Sequence, residues 1–193
     1  IDALINIGIA YYEINKLETA LVFLDKAKKL NDKHSEVWYT FGLVYKKSNN
    51  LEEAIISYKK SIKYKPNHLN ALINIGNIYL QNKNYDESRK VFEIALNLSS
   101  NDPNLNHNLG VVFTKLENFE KAIKFYLKAK NLNSSNPLTF YNLGYLFAKQ
   151  LKFNDSINNY KEAIGLNPNN EEFYYNLAWS ETELGMYESA IKN

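Results

Sequence analysis

The chain has 193 residues, of which 45% are hydrophobic, and 23 Lys and Arg residues against 21 Asp and Glu residues give a formal net charge of +2. This length predicts one domain or two small ones, and the balanced charge argues against a binder of nucleic acid or acidic membranes. The absence of cysteine excludes disulfides, thiolate zinc sites and thiol catalysis, but does not fix the redox compartment. No apolar run approaches the roughly 18 residues of a spanning helix, so we expect no membrane partner.

Glycine reveals an internal repeat with a period of 34 residues. The recurring glycines are Gly8, Gly42, Gly76, Gly110 and Gly144. The same period divides the chain, without a gap, into units 1–34, 35–68, 69–102, 103–136 and 137–170, followed by a partial unit 171–193. We therefore expect residues 1–193 to form a single array. Since the chain begins at Ile1 and stops at Asn193 inside a unit, we also expect it to be part of a longer protein.

Each unit predicts two helices, and a place in the unit is called here a repeat position, numbered by its residue in the first unit. Positions 4, 7 and 11 carry mostly large apolar residues, and this three-and-four spacing predicts an amphipathic helix A packed through positions 4, 7, 8 and 11. Positions 20, 24 and 27 predict a helix B, with small residues at 20 and 27. Because glycine costs about 1 kcal/mol in a helix interior, its return at position 8 predicts a close helix–helix approach there.

Some residues mark helix starts or depart from the pattern. Asp102 and Asn136 each precede a proline, which predicts an N-cap followed by proline in the first helical turn. Asn106 stands where the stripe requires a large apolar residue, and Glu181 replaces the aromatic residue of position 11. We expect Glu181 to begin a different surface.

The second unit carries a known pattern most completely. Its matching residues are Trp38, Phe41, Gly42, Tyr45, Ala54, Tyr58 and Pro66. The chain therefore resembles the tetratricopeptide repeat (TPR) family over its whole length. The resemblance implies an all-α fold, a right-handed α-solenoid of stacked antiparallel helix pairs (the TPR superhelix), whose concave wall consists mainly of A helices. One helix pair cannot bury its own apolar face, which independently requires such stacking.

Asparagine is concentrated at position 6 of helix A, opposite the packing stripe. The six occupants are Asn6, Thr40, Asn74, Asn108, Asn142 and Asn176. An asparagine amide offers one acceptor and two donors, which suits the backbone of an extended peptide, so we expect an exposed row of asparagines on the concave wall. The row resembles the asparagine ladder of peptide-binding TPR arrays such as that of O-linked N-acetylglucosamine transferases. The alternative is that repeat duplication in an asparagine-biased genome copied a tolerated residue.

Further candidates lie beside this row. At position 9, Asn77 and Tyr145 face the same wall, and Trp179 is either a ligand contact or a buried residue. Lys115 and Lys149 make the centre of the wall basic, which favours an acidic or phosphorylated ligand as one option. The complete predicted peptide-binding set is Asn6, Asn74, Asn77, Asn108, Asn142, Asn176, Tyr145, Lys115 and Lys149.

Other chemically versatile side chains are predicted to be structural. His34 and His68 share an inter-repeat position and His107 lies in a helix, but none has a converging third group for metal binding or acid–base catalysis. Tyr141 and Tyr175 are expected to pack between adjacent A helices. The sequence therefore predicts no catalytic residue, no metal site and no cofactor.

Taken together, these features predict a non-catalytic, cytoplasmic protein–protein interaction scaffold that binds an extended peptide segment in the concave groove. Two alternatives stay open: the substrate-recognition arm of a larger enzyme such as a protein O-GlcNAc transferase, and a scaffold that forms homo-oligomers through the open solenoid ends. RNA binding of the pentatricopeptide kind is disfavoured by the Gly-x-x-aromatic signature and by the balanced charge.

Overall fold

The computed structural model describes residues 1–132 and 134–185, which form eleven helices and no strand. The A helices are α1 (Asp2–Glu13), α3 (Ser35–Lys47), α5 (Leu69–Gln81), α7 (Pro103–Lys115), α9 (Pro137–Lys149) and α11 (Glu171–Glu183). The B helices are α2 (Leu17–Leu30), α4 (Leu51–Tyr64), α6 (Tyr85–Leu98), α8 (Phe119–Asn131) and α10 (Phe153–Leu166). The predicted all-α fold with one helix pair per repeat is confirmed. The sixth unit predicts a further B helix inside which the chain stops at Asn193, and this prediction lies outside the described residues.

The chain divides into two compact units, Ile1–Leu98 and Ser99–Asn193, called here the N-unit and the C-unit. Within each unit, every A helix packs on the B helix that follows it, and each B helix packs on the next A helix. The sequence prediction of one array over 1–193 stays a prediction.

The recurring glycines allow close contact between helix A and helix B of one repeat. All residues at positions 20, 24 and 27 of the five described B helices are buried, as the sequence predicts. The side chain at position 24 lies directly against the glycine at position 8. A Cβ atom on Gly110 would stand 2.5 Å from Cε1 of Tyr126, and one on Gly8 would stand 3.0 Å from Cδ2 of Leu24. The predicted close approach is thus confirmed.

Helix A also buries a second stripe that the sequence analysis did not identify. Positions 3 and 10 are buried in every described A helix except α1. In the N-unit, Val37 and Val44 of α3 pack in one cluster with Leu24 of the preceding repeat, and in the C-unit Phe173 of α11 packs with Ala163 of α10. An A helix therefore packs against two B helices. The stripe at positions 4, 7 and 11 explains its contact with only one of the two.

Each three-residue turn from helix A to helix B passes through a left-handed backbone conformation at position 15. The residues with this conformation are Asn15, Asn49, Lys83, Glu117 and Leu151, with φ between 57° and 62°, together with Gly185 at 81°. In the last complete turn, N–H of Lys152 donates to the carbonyl of Phe147 at 2.9 Å, and N–H of Leu151 donates to that of Ala148 at 2.9 Å. This pair of bonds is the Schellman motif, which favours glycine at its left-handed residue.

We expect Leu151→Gly to raise the free energy of unfolding by about 1 kcal/mol, because a left-handed conformation costs a residue with a Cβ roughly that amount. The Leu151 side chain is 75% exposed, so its removal sacrifices little packing. Thermal unfolding followed by circular dichroism measures the change. Asn49→Gly is the matched control and should change stability less, because asparagine tolerates this conformation. A lower melting temperature for Leu151→Gly would contradict the assignment of strain to this turn.

The predicted N-caps are present at two helices of the C-unit. Oδ1 of Asp102 accepts hydrogen bonds from N–H of Asn104 at 2.8 Å and of Leu105 at 3.1 Å, which caps α7. Oδ1 of Asn136 accepts one from N–H of Leu138 at 3.0 Å, which caps α9. Each cap satisfies backbone donors that the first helical turn leaves without a partner.

The two departures from the apolar stripe are both buried. Asn106 is fully buried, and its Nδ2 donates to the carbonyl of Asp102 at 2.8 Å. Glu181 is also fully buried, and its Oε1 lies 3.4 Å from Nζ of Lys161. The expectation that Glu181 begins a different surface was wrong, because its carboxylate is held inside the C-unit by a lysine on α10.

Candidate functional site

Two open clefts lie side by side within the C-unit. Cleft I has a volume of about 420 Å³ and lies between α7, α8 and α9. Its principal lining residues are Lys115, Tyr126, Tyr141, Asn142, Tyr145 and Lys149. Cleft II has a volume of about 320 Å³ and lies between α9, α10 and α11. Its lining residues are Tyr145, Ala148, Lys149, Tyr160, Tyr175, Asn176 and Trp179.

The two clefts are built from the same repeat positions, one repeat apart. The lysine, tyrosine and asparagine of cleft I recur 34 residues later in cleft II, at positions 13, 24 and 6. The corresponding pairs are Lys115 and Lys149, Tyr126 and Tyr160, and Asn142 and Asn176. The repeat therefore produces one binding geometry twice, with Tyr145 and Lys149 lining both clefts.

At three equivalent positions the two clefts carry different residues, and these differences make cleft II more apolar than cleft I. Thr114 of cleft I is replaced by Ala148, Val111 by Tyr145, and Tyr145 by Trp179. The substitutions remove a hydroxyl group and add aromatic surface.

A buried tyrosine holds the asparagine of cleft I. Nδ2 of Asn142 donates to Oη of Tyr126 at 3.0 Å, and Thr114 Oγ1 lies 3.5 Å from the same hydroxyl. Burial raises the pKa of Tyr126 to about 12, with the hydrogen bonds to Thr114 and Asn142 opposing the shift. The phenol is therefore neutral at physiological pH. The bond to Tyr126 uses one of the two N–H groups of Asn142, and the amide can offer the other N–H and its oxygen to a ligand.

The asparagine of cleft II is held in a similar way. Nδ2 of Asn176 donates to the carbonyl of Glu172 at 2.8 Å and contacts Oη of Tyr141 at 3.4 Å. Tyr141 itself donates to Oε1 of Glu172 at 2.6 Å, and its ring stacks on Phe173 with 5.1 Å between centroids. Burial, followed by the hydrogen bond to Glu172, raises the pKa of Tyr141. Tyr141 packs between adjacent A helices, as predicted.

Tyr175, which was predicted to pack in the same way, is 73% exposed. Tyr141 packs on the A helix that follows its own, and the described residues contain no A helix after α11, so the prediction for Tyr175 stays a prediction. Trp179, for which the sequence left two alternatives, is 44% exposed on the wall of cleft II. Its ring meets Phe153 edge to face at 5.9 Å.

The two lysines of the clefts are exposed. Nζ of Lys149 lies 5.2 Å from the ring centroid of Tyr145 and 5.4 Å from that of Phe119. Among the described residues, neither Lys149 nor Lys115 forms an ion pair, although Glu117 also lines cleft I. Their positive charge is therefore accessible to a ligand.

The asparagine row is less exposed than predicted. Asn6 is exposed and Thr40 is fully buried. The half-buried members of the predicted set are Asn74, Asn77, Asn108, Asn142 and Asn176. In the N-unit, Oδ1 of Asn74 accepts a hydrogen bond from Nζ of Lys46 at 2.8 Å, and its Nδ2 donates to the carbonyl of Asn70 at 3.0 Å. The row that was expected to be exposed is thus only partly exposed, because neighbouring side chains and backbone groups partly enclose position 6.

The predicted site residues fall into two groups. Clefts I and II bring together Asn142, Asn176, Tyr145, Lys115 and Lys149. The other predicted residues line neither cleft and are Asn6, Asn74, Asn77 and Asn108. Tyr126 lines cleft I but was predicted only as a packing residue of helix B. The signal that could have found it was a tyrosine instead of phenylalanine at position 24, since a buried phenol requires a partner near its hydroxyl.

His107 packs inside the C-unit. His107 is buried, its Nδ1 lies 2.9 Å from Oγ1 of Thr139, and its ring lies 5.5 Å from that of Tyr126. Burial lowers the pKa of His107 to about 4, so the ring is neutral at physiological pH. Within residues 1–132 and 134–185, no three His, Asp or Glu side chains converge as a metal site would require.

Sequence profiles described as "Tetratricopeptide repeat" match residues 1–34, 35–68 and 67–135, and a "TPR repeat" profile matches residues 152–178. No curated protein matches the chain in sequence. In the part of the chain that the structure describes, no helix combines the length and the apolar character needed to cross a bilayer.

Several solved structures share the fold. PilF of Pseudomonas aeruginosa aligns with a TM-score of 0.86 at 19% identity, covering 99% of this chain and 87% of its own. PilW, described as a widely conserved type IV pilus biogenesis factor, aligns at 0.79 and 17% identity, covering 99% and 89%. YrrB, described as a TPR protein with an unusual peptide-binding site, aligns at 0.74 and 22% identity, covering 88% and 87%. At such identities, these similarities establish the fold alone.

Proposed function

Because the chain belongs to the tetratricopeptide repeat family, whose repeats form protein-binding scaffolds, we propose that it is a non-catalytic interaction module whose C-unit binds an extended segment of a partner protein in clefts I and II. The observation that carries the proposal is the recurrence of one set of groups, a held asparagine amide beside a tyrosine and a lysine, at an interval of one repeat. An extended peptide presents backbone donors and acceptors at regular intervals, and regularly spaced amides can bind them.

The hydrogen bonds of the two asparagines support this role. Asn142 is fixed by Tyr126 at 3.0 Å and Asn176 by the carbonyl of Glu172 at 2.8 Å, so both amides are oriented before a ligand arrives. Groups fixed in advance lose less conformational entropy on binding. The peptide-binding site of YrrB, a TPR protein of similar fold, is consistent with this role. In the N-unit, by contrast, Lys46 already bonds Oδ1 of Asn74, so we assign that amide a secondary role.

Selection of random dodecapeptides on the full chain, followed by calorimetric titration, tests the proposal. We expect Asn142→Ala/Asn176→Ala to weaken the selected peptides roughly tenfold or more, because it removes at least two hydrogen bonds to the ligand backbone.

Asn154→Ala/Asn158→Ala is the matched control, since both asparagines are exposed on α10 and line neither cleft. It should leave the affinity unchanged. Equal affinity of the wild type and of the Asn142→Ala/Asn176→Ala variant, with helicity intact, would contradict the proposed role of the two amides.

We also propose a cytoplasmic location for the protein. Fractionation of cells that express it, with marker enzymes for each compartment, should recover the protein with the cytoplasmic marker. Recovery with a periplasmic or membrane marker would contradict this part of the proposal.

A further inference from the structure

We propose that the ligand of the two clefts is a peptide segment that carries an acidic side chain in cleft I and an aromatic side chain in cleft II, three residues apart along a backbone in the polyproline II conformation. This inference rests on the proposed function and adds the chemistry and the spacing of the ligand.

The charge of cleft I selects the acidic side chain. Lys115 and Lys149 lie at its edge, both are exposed and neither forms an ion pair among the described residues, whereas Glu117 is the one carboxylate in its lining. The Lys149 ammonium also lies over the rings of Tyr145 and Phe119, which keeps it at the cleft. Because the lining of cleft I carries two cations and one anion, it favours a carboxylate on the ligand. The N–H of Asn142 that does not bond Tyr126 is a further donor to this carboxylate.

The surface of cleft II selects the aromatic side chain. Tyr145 and Trp179, both at position 9, are 38% and 44% exposed, and both rings line this one cleft. Solvent-exposed aromatic rings that converge on a cleft are typical of the residues that dominate binding energy at interfaces. Ala148 takes the place that Thr114 has in cleft I, so this part of the wall presents a methyl group. An aromatic side chain of the ligand would remove these rings from water and could meet them edge to face.

The repeat geometry sets the spacing. The clefts occupy equivalent positions on successive repeats, and α9 contacts α11 directly. Helices in contact lie about 8–10 Å apart. A polyproline II chain advances about 3.1 Å per residue and returns to the same face after three residues, or about 9 Å, whereas side chains three residues apart in a β-strand point to opposite faces. Side chains three residues apart therefore match the distance between the clefts.

A panel of capped, fluorescein-labelled peptides tests the inference by fluorescence anisotropy with the full chain. Each peptide carries one Asp and one Trp in a neutral Ala/Ser background, separated by one to five positions and in both orders. We expect the tightest binding at a separation of three, with affinity about tenfold weaker at one or five. Replacing Asp by Lys should weaken binding by roughly threefold to tenfold, in keeping with an exposed ion pair.

Charge reversal provides a readout that a purely structural role would not change. Lys115→Glu/Lys149→Glu should prefer the Lys-containing peptide over the Asp-containing one, and Lys124→Glu/Lys128→Glu, on exposed positions of α8, should keep the original preference. The aromatic cleft is tested by Trp179→Ala, for which we expect a loss of about 30-fold.

Leu127→Ala, which removes a partly exposed side chain outside both clefts, is the control for Trp179→Ala and should have no effect. If library-selected peptides bind through Asn142 and Asn176 but show no preference for acidic and aromatic residues at this spacing, the inference is overturned and the proposed function stands. If neither the library nor the panel yields a binding peptide, the inference and the proposed function both fail.

Discussion

Gly110→Ala should lower the free energy of unfolding by about 2 kcal/mol, although alanine is the better helix former. A Cβ atom at this position would stand 2.5 Å from Cε1 and 2.6 Å from Cδ1 of Tyr126, whose side chain is fully buried and cannot move aside. A contact this short puts the overpacking cost at the upper end of its usual range, about 3 kcal/mol, and the gain of about 1 kcal/mol in helix propensity leaves a net loss of about 2 kcal/mol. Urea unfolding of the full chain, followed by circular dichroism, measures the difference.

Two further variants separate steric crowding from helix propensity. Gly165→Ala in α10 should raise stability by about 1 kcal/mol, because no atom lies within 4 Å of the added Cβ. Tyr126→Leu should reduce the cost of Gly110→Ala, because a Cβ on Gly8 would stand at a more tolerable 3.0 Å from Leu24 in the first repeat. A double-mutant cycle gives this coupling. If Gly110→Ala were as favourable as Gly165→Ala, close helix approach would not explain the recurring glycine.

The second large effect is a loss of stability in mild acid through His107. Burial lowers the pKa of this imidazole in the folded protein to about 4, against about 6.5 for an ordinary histidine. A histidine whose folded pKa is depressed takes up its proton more readily in the unfolded chain. Its contribution is therefore complete above about pH 6.5 and is lost as the pH falls toward 4, by about 3 kcal/mol in total.

His107→Gln isolates this contribution, since glutamine can still hydrogen-bond Oγ1 of Thr139 and does not titrate. We expect the difference in unfolding free energy between wild type and variant to change with pH between about 6.5 and 4, and to be constant above this range. Asn158→Ala, at an exposed position of α10 that carries no titratable group, is the control and should leave the wild-type profile unchanged. Parallel pH profiles for wild type and His107→Gln would contradict the burial argument.

The sequence alone was sufficient for the helix pairs but not for their full packing. A strict period identifies positions that share an environment, so Gly110 and the buried residues of helix B could be assigned from spacing alone. It does not show how many neighbours a helix has, and for this reason the second stripe, with Val37 and Val44, was missed. Glu181 was misplaced because a charged residue in an apolar stripe suggests a surface, whereas Lys161 stabilises it in the interior.

The residues of the candidate site could also be predicted from the sequence only in part. Asn142, Tyr145, Lys115 and Lys149 were selected from one helix face and do line a common cleft. The partners of the asparagines were not predictable from periodicity, because the hydroxyl of Tyr126 reaches Asn142 from a helix that the pattern assigns to the core. The residues at position 6 differ in exposure because their hydrogen-bond partners differ between repeats.

The side-chain amide resonances of Asn142 and Asn176 provide the most direct test of the proposed peptide site. In nuclear magnetic resonance titration of the full chain with a selected peptide, we predict that both pairs of amide resonances shift and saturate with one dissociation constant. The amides of Asn154 and Asn158, exposed on α10 outside both clefts, should keep their positions. Saturable binding that leaves the resonances of Asn142 and Asn176 unchanged would contradict the account.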